Sequence, residues 1–165
     1  MVKTARPVTF YQPENYRPEE SAAYLMRQIL SLMVTKVDQE LEPAGLTSAQ
    51  WQPLLKLHLG HASTVAEVAR ECRLDTGATT RMLDRLEAKG LVTRERSSTD
   101  RRVVNLVLTD AGRAAAQQIP TALCKVQNAY LEGFTPQEWQ QLKDLLRRVL
   151  ANGQAMSGPE QEEQE

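Results

Sequence analysis

The apolar residues of this chain change their spacing between residues 75 and 108, and this change constrains the fold more than any other feature. After Asp75, a suitable helix N-cap, they recur at helical spacing up to Gly90, which suits a left-handed helix stop. The runs LVTRER and RVVNLVL then alternate every second residue on either side of the polar loop 97–100. Alternation flanking a short polar loop predicts a β-hairpin that directly follows a capped helix.

Helix-end signals predict five further helices around this segment. Their starts are Pro18 for a first helix that stops at Pro43, capping boxes at Thr47 and Thr64, Thr109 for a fifth helix reaching about Glu132, and Thr135 for the last. The predicted fold class is mainly α with a small β-hairpin wing: a winged helix-turn-helix flanked by N- and C-terminal dimerisation helices. We expect an N-terminal arm over 1–17, a single domain over 18–150 and a disordered acidic tail over 151–165. Within the domain, the DNA-binding lobe covers about 47–108, and the dimerisation helices cover about 18–43 and 109–150.

Composition excludes several classes of protein. No apolar run is long enough for a membrane span, and the N-terminus lacks the apolar core of a secretory signal, so we expect no membrane partner and a cytoplasmic location. Two cysteines and two histidines without a ligand motif predict no metal and no cofactor. Nucleophile-elbow, phosphate-loop and HExxH motifs are missing, so we expect no catalytic residues and no enzyme. Residues 70–113 carry a net charge of +3 in a chain of net charge −1, which is compatible with a confined DNA footprint.

Two short helices around Arg73-Leu74-Asp75 form the predicted helix-turn-helix, in which the second helix enters the major groove. Arg81 can present its planar fork to guanine, and Gly77 and Ala78 are small enough for close approach. The residues expected to face DNA from this recognition helix are Thr76, Gly77, Ala78, Thr79, Thr80, Arg81 and Arg85.

The hairpin loop carries the second set of expected DNA contacts. An arginine on a thin loop can enter the minor groove, and an aspartate two residues earlier can orient its guanidinium. The wing residues expected at DNA are Ser98, Asp100, Arg101 and Arg102, and the expected phosphate contacts are Thr64, Arg94 and Arg96.

The stretch DTGATTRMLDRLEAKGLVTRERSSTDRRVVNLVLTDAGR, residues 75–113, resembles the core of the MarR family of multiple-antibiotic-resistance-type regulators. Asp100 and Arg102 match that family's wing Asp-x-Arg, and Gly77, Ala78 and Arg81 match positions that commonly face bases. The resemblance implies a homodimer that binds a pseudo-palindromic double-stranded operator, most commonly as a repressor. Pro53 departs from the usual second helix.

The apolar rows of the first and last helices independently favour a dimer, since they exceed what a fold of this size can bury. The resemblance further implies release of DNA by a small effector, such as an aromatic carboxylate or a phenol. The residues suited to line its pocket are Tyr16, Arg17, Tyr24, Arg27, Trp51 and His58. Two alternatives stay open: a regulator of the same fold that responds to oxidation of Cys72 or Cys124, and a winged-helix protein-interaction module that does not bind DNA.

Overall fold

The computed structural model describes residues 9–96 and 103–156 of the 165-residue chain. In chain order its main elements are α1 (Ala22–Leu41), α2 (Ser48–His58), α3 (Val65–Cys72), α4 (Thr76–Ala88), β1 (Val92–Arg96), β2 (Val104–Leu108), α5 (Asp110–Tyr130) and α6 (Pro136–Met156). The predicted class is confirmed: the chain is mainly helical, with a two-stranded antiparallel hairpin and helices at both ends. In the described ranges no helix is long and apolar enough to cross a membrane.

Backbone contacts group the chain into two compact units, Met1–Leu123 and Cys124–Glu165. The first unit contains α1 to α4, the hairpin and most of α5, and the second contains the end of α5 and all of α6. The boundary lies inside α5, whereas the predicted DNA-binding lobe ends before that helix. The core of the first unit is formed by fully or almost fully buried side chains that every one of its elements supplies: Leu41, Leu46, Leu54, Val68, Leu83, Leu86, Val92, Leu106 and Ile119.

Local capping chemistry sets most helix starts as predicted. The capping boxes of α2 and α3 are complete at Thr47 and Thr64. At the start of α6, the Thr135 hydroxyl accepts from the Glu138 amide at 3.2 Å, and the Glu138 carboxylate accepts from the Thr135 amide at 2.8 Å. These bonds satisfy amide groups that the first helical turn leaves without intrahelical partners.

Two predicted boundaries are wrong. Helix α1 starts after Ser21, whose hydroxyl accepts from the Tyr24 amide at 3.2 Å, while Pro18–Glu20 forms a separate 3₁₀ turn. Helix α6 continues to Met156, so residues 151–156 are helical and do not belong to a disordered tail. For α6 the physical reason is that an existing helix is extended more easily than a new one is started, and the good helix formers Ala151, Gln154 and Met156 offset the poor formers Asn152 and Gly153. Residues 157–165 of the predicted tail lie outside the described residues.

The hairpin pairs Val92 with Leu108 and Arg96 with Val104 at its two ends. It is tied to the segment before α3, because the Leu106 amide donates to the Ser63 carbonyl at 2.8 Å and Thr64 bridges to Asn105. The wing strands therefore have a fixed position relative to the start of the helix-turn-helix.

Candidate nucleic-acid interface

The predicted helix-turn-helix is formed by α3, a tight turn and α4. Arg73 adopts a left-handed backbone conformation in the turn, with φ of 52°, and the Leu74 amide donates back to the Ala69 carbonyl at 3.0 Å. Asp75 caps α4 by accepting from the Ala78 amide at 2.8 Å. Because the turn is closed by backbone bonds and α4 is capped immediately after it, the direction in which α4 leaves the turn is defined.

The outward face of α4 holds six of the seven residues predicted to contact DNA from this helix. Five are exposed and Ala78 is half-buried; the exposed ones are Thr76, Gly77, Thr80, Arg81 and Arg85. A Cβ on Gly77 would lie 3.2 Å from Asp75 Oδ1 and 3.6 Å from an Arg81 guanidinium nitrogen. Glycine at this position therefore leaves space for both functional groups at the start of the helix.

Thr79 corrects the prediction, because its side chain is fully buried and its hydroxyl donates to the Asp75 carbonyl at 2.9 Å. The cause is helical spacing. Positions 79, 82, 83 and 86 follow the i, i+3, i+4, i+7 pattern of one helix face, and the other three side chains on it form part of the core. Thr79 thus packs inward and cannot contact DNA.

Arg94 on β1 is bound to the recognition helix. Its guanidinium lies 2.7 Å from the Asp84 carboxylate and 3.0 Å from that of Glu87. A further bond runs to the Thr80 carbonyl at 3.5 Å. These contacts favour a structural role, which anchors the wing to α4, over the predicted phosphate contact.

Of the remaining residues predicted to contact DNA, the structure describes Arg96 and Thr64 but not the four residues of the wing loop. Arg96 is exposed near the end of β1, and its phosphate contact stays a prediction. Thr64 is half-buried and caps α3, with its hydroxyl accepting from the Glu67 amide at 3.2 Å. Hydrogen bonds from Ser63 and Thr64 lower the pKa of Glu67, so this carboxylate stays charged in the capping box. Ser98, Asp100, Arg101 and Arg102 lie outside the described residues.

A cavity of about 460 Å³ opens beneath the recognition helix. Its walls come from α1 to α4 and are mainly apolar, with the two α4 arginines as their cationic members: Val34, Ser48, Ala49, Gln52, Pro53, Cys72, Leu74, Ala78, Arg81, Met82 and Arg85. Pro53, the residue noted as unusual, is buried and forms part of this wall. Sequence analysis missed the cavity, because it depends on how four helices pack.

The six residues predicted to line an effector pocket do not line this cavity. Tyr24 and Arg27 instead contact each other on α1, with the guanidinium 5.5 Å from the ring centre, and Arg17 pairs with Glu20. Tyr16 packs edge-on against Tyr11. Trp51 and His58 are half-buried on α2, and the indole N–H is buried without a hydrogen-bond partner among the described residues.

The cysteines are free thiols in different environments. Cys72 is half-buried at the cavity, and burial raises the pKa of its thiol, which disfavours the reactive thiolate. Cys124 is exposed. Within the described ranges, no group of three or more acidic, histidine or cysteine side chains is arranged to hold a metal ion.

Comparisons with known proteins agree with this geometry. Residues 46–104 match the MarR family. The chain is 33% identical over 137 residues to the HTH-type transcriptional repressor MdtR of Bacillus subtilis (strain 168), covering 79% of this chain and 88% of that protein. It resembles the crystal structure of a mutant MarR from E. coli complexed with operator DNA, with a TM-score of 0.71, 29% identity, and coverage of 78% of this chain and 92% of the other. It also resembles Bordetella bronchiseptica BpsR, whose DNA binding is regulated by 6-hydroxynicotinic acid, with a TM-score of 0.72, 25% identity, and coverage of 82% and 96%.

Proposed function

The chain belongs to the MarR family of winged helix-turn-helix transcription regulators, and we propose that it represses transcription by binding a pseudo-palindromic operator as a homodimer. Because the family consists of regulators, the expectation that the chain is not an enzyme is confirmed. The observation that carries the proposal is the capped α4, which exposes Gly77 and Arg81 on its outward face. The similarity to a repressor and to an operator-bound structure supports the same function.

Base reading is assigned to the first two turns of α4. Arg81 donates two parallel hydrogen bonds to guanine, a contact that contributes about 1–3 kcal/mol of discrimination against other bases. Thr76 and Thr80 are exposed near it and supply shorter polar contacts. The positive macrodipole end of α4 adds attraction to phosphate.

Arg81→Ala tests this assignment against duplexes selected by the wild-type protein from a random pool. We expect the variant to lose about 5- to 100-fold in affinity for the selected site and to tolerate base changes there. Thr79→Val is the matched control, since Thr79 is buried on the opposite face of the same helix. Wild-type specificity in Arg81→Ala would refute the role of this arginine.

Dimerisation is proposed from apolar side chains that remain exposed in the single chain. Leu25, Ile29 and Leu32 lie on one face of α1 and are 52%, 48% and 59% exposed. Helix α6 carries a comparable group, Leu145, Leu146, Val149 and Leu150. Monomeric proteins rarely leave contiguous apolar patches of this kind in water. A second copy of the chain covers them, and two recognition helices then address two half-sites about 34–36 Å apart.

Ile29→Glu tests the dimer by placing a charge in the α1 patch. We expect this variant to shift from dimer to monomer in light scattering, whereas Ala23→Glu, at an exposed position on the opposite side of α1, leaves the dimer intact. A monomeric wild-type protein, or an unchanged dimer in Ile29→Glu, contradicts the proposed interface.

We further propose that a small aromatic carboxylate or phenol releases the protein from its operator. BpsR responds to an aromatic acid, and the cavity beneath α4 combines apolar walls with Arg81 and Arg85. A carboxylate that pairs with Arg81 in this cavity competes with guanine for the same guanidinium. The ligand acts only if it binds the DNA-free form more tightly.

Benzoate and 4-hydroxybenzoate are suitable probes of release from a labelled operator. We expect Ala49→Phe, which adds a bulky ring to the lining of the cavity, to abolish the response, and Arg27→Met to leave it intact. The reverse result favours the pocket predicted from sequence, around Tyr24 and Arg27. Unchanged DNA affinity across a set of aromatic acids contradicts this class of effector.

A further inference from the structure

Lys89 joins the C-terminal end of the recognition helix to a distant part of the chain. Its ammonium donates to the Gly45 carbonyl at 2.6 Å and to Gln50 Oε1 at 3.0 Å. Gly45 ends the turn after α1 in a left-handed conformation, with φ of 68°, and Gln50 belongs to the first turn of α2. One side chain therefore connects the end of α4 with the junction between α1 and α2.

The Gln50 side chain is itself held in place. It is 7% exposed, and its amide oxygen also accepts from the Thr47 amide at 3.3 Å as part of the α2 capping box. Both acceptors of the Lys89 ammonium are thus fixed by their own local structure. Favourable interaction with the helix dipole explains why a cation suits the end of α4, but it does not require these two oxygen atoms.

We propose that Lys89 is a positioning residue for operator recognition, which sets the tilt of α4 relative to α1. This inference rests on the proposed function, because α1 carries the apolar face assigned to the dimer and α4 carries the base-reading residues. Helix α4 has 13 residues and is about 20 Å long. A tilt of about 10° at its C-terminal end moves the other end by about 3 Å, the length of a hydrogen bond.

The dimer amplifies this effect, because the same tilt occurs in both copies. Two recognition helices that each shift no longer match half-sites one DNA turn apart. Lys89 thereby determines half-site spacing without touching a base. The contact between Lys89 and Gln50 can be removed from either side, which separates this role from a direct phosphate contact of the ammonium.

Four variants test the inference: Lys89→Met, Gln50→Leu, the double variant, and Gln50→Glu, which keeps an acceptor oxygen. The probes are a duplex selected by the wild-type protein from a random pool, the same duplex with one base pair inserted or deleted between half-sites, and a scrambled duplex. Affinity is measured over a range of salt concentrations, with thermal unfolding and light scattering on the same samples.

We expect Lys89→Met and Gln50→Leu each to lose at least about fivefold in affinity for the selected duplex and much of the preference for its spacing. The double variant loses less than the sum of the two single losses, because both remove the same contact between Lys89 and Gln50. Gln50→Glu binds as wild type, and the salt dependence is unchanged in all of them.

Other outcomes overturn the inference. Wild-type affinity and spacing preference in Lys89→Met do so directly. A reduced salt dependence in Lys89→Met, with Gln50→Leu unaffected, makes Lys89 a phosphate contact. An equal loss on all duplexes that follows the loss of folded protein makes it a stabilising residue only. If the wild-type protein selects no duplex at all, the proposed function fails first, and this inference fails with it.

Discussion

Arg94 and Arg96 lie two residues apart on β1, so their side chains extend from the same face of the strand. Arg94 contacts the carboxylates of Asp84 and Glu87 on the recognition helix, while Arg96 is exposed. Sequence analysis predicts a phosphate contact for both. Replacing each arginine with methionine, which keeps an apolar stem but no charge, compares a cation held in ion pairs with an exposed cation that is predicted to contact phosphate.

The structure sets the expected size of each effect. Exposed ion pairs contribute about 0.2–1 kcal/mol each, and the two carboxylates here are 53% and 41% exposed, so Arg94→Met should cost about 1 kcal/mol. For a protein of this length that is a fall in Tm of about 2–4 °C. The logarithm of the DNA-binding constant falls linearly with the logarithm of the salt concentration. Each lost phosphate contact makes this slope less steep by about 0.9, or by about 1.8 for a dimer that loses one contact in each copy.

Thermal unfolding and fluorescence anisotropy at several salt concentrations measure both quantities. We expect Arg94→Met to lower Tm and to keep the wild-type dependence of affinity on salt. We expect Arg96→Met to keep the wild-type Tm and to weaken the dependence of affinity on salt. The double variant Asp84→Asn/Glu87→Gln should reproduce the loss in Tm while retaining the arginine. If Arg94→Met lowers the salt slope as much as Arg96→Met does, the anchoring role is wrong and the phosphate contact is right.

Three further predictions concern stability. Glu67→Ala should cost about 1 kcal/mol at neutral pH. Because the folded pKa of Glu67 lies below its ordinary value of 4.5, its contribution is present above that pH and is lost as pH falls through the lower, folded pKa. The difference in Tm from wild type should therefore shrink in acid, and a constant difference would contradict the capping role. Gly112→Ala should destabilise by at least about 1–3 kcal/mol in chemical unfolding, because its Cβ would overlap the Leu91 carbonyl oxygen, and near-wild-type stability would show that the approach is less close. Arg73→Gly should raise stability by up to about 1 kcal/mol, since Arg73 is held in a left-handed conformation that glycine adopts freely, and a lower Tm would indicate that the Arg73 side chain itself stabilises the turn.

Features that depend on neighbouring residues were predictable from sequence. The cap at Asp75 and the boxes at Thr47, Thr64 and Thr135 need partners only three residues away, and the structure contains all of them. The stop at Gly90 is equally local: its amide and that of Leu91 donate back to carbonyls in the last turn of α4. The change from helical to alternating spacing located the hairpin for the same reason.

Features that depend on packing were not predictable. Thr79 is polar, and only the position of the core stripe shows that it faces inward. The cavity beneath α4 requires four helices at once, and the Lys89 contact joins residues 44 positions apart. Arg94 illustrates the limit for charged residues, since the sequence pattern of a strand in the predicted wing suits a phosphate contact and an internal ion pair equally well.

Titration of a labelled duplex, selected by the protein from a random pool, tests the central claim most directly. The account predicts two chains bound per duplex, affinity far above that for a scrambled duplex, a steep decrease with salt, and loss of the sequence preference in Arg81→Ala. Equal affinity for selected and scrambled duplexes, or a preference that persists without the arginine, would contradict the claim that a dimer reads its operator through α4.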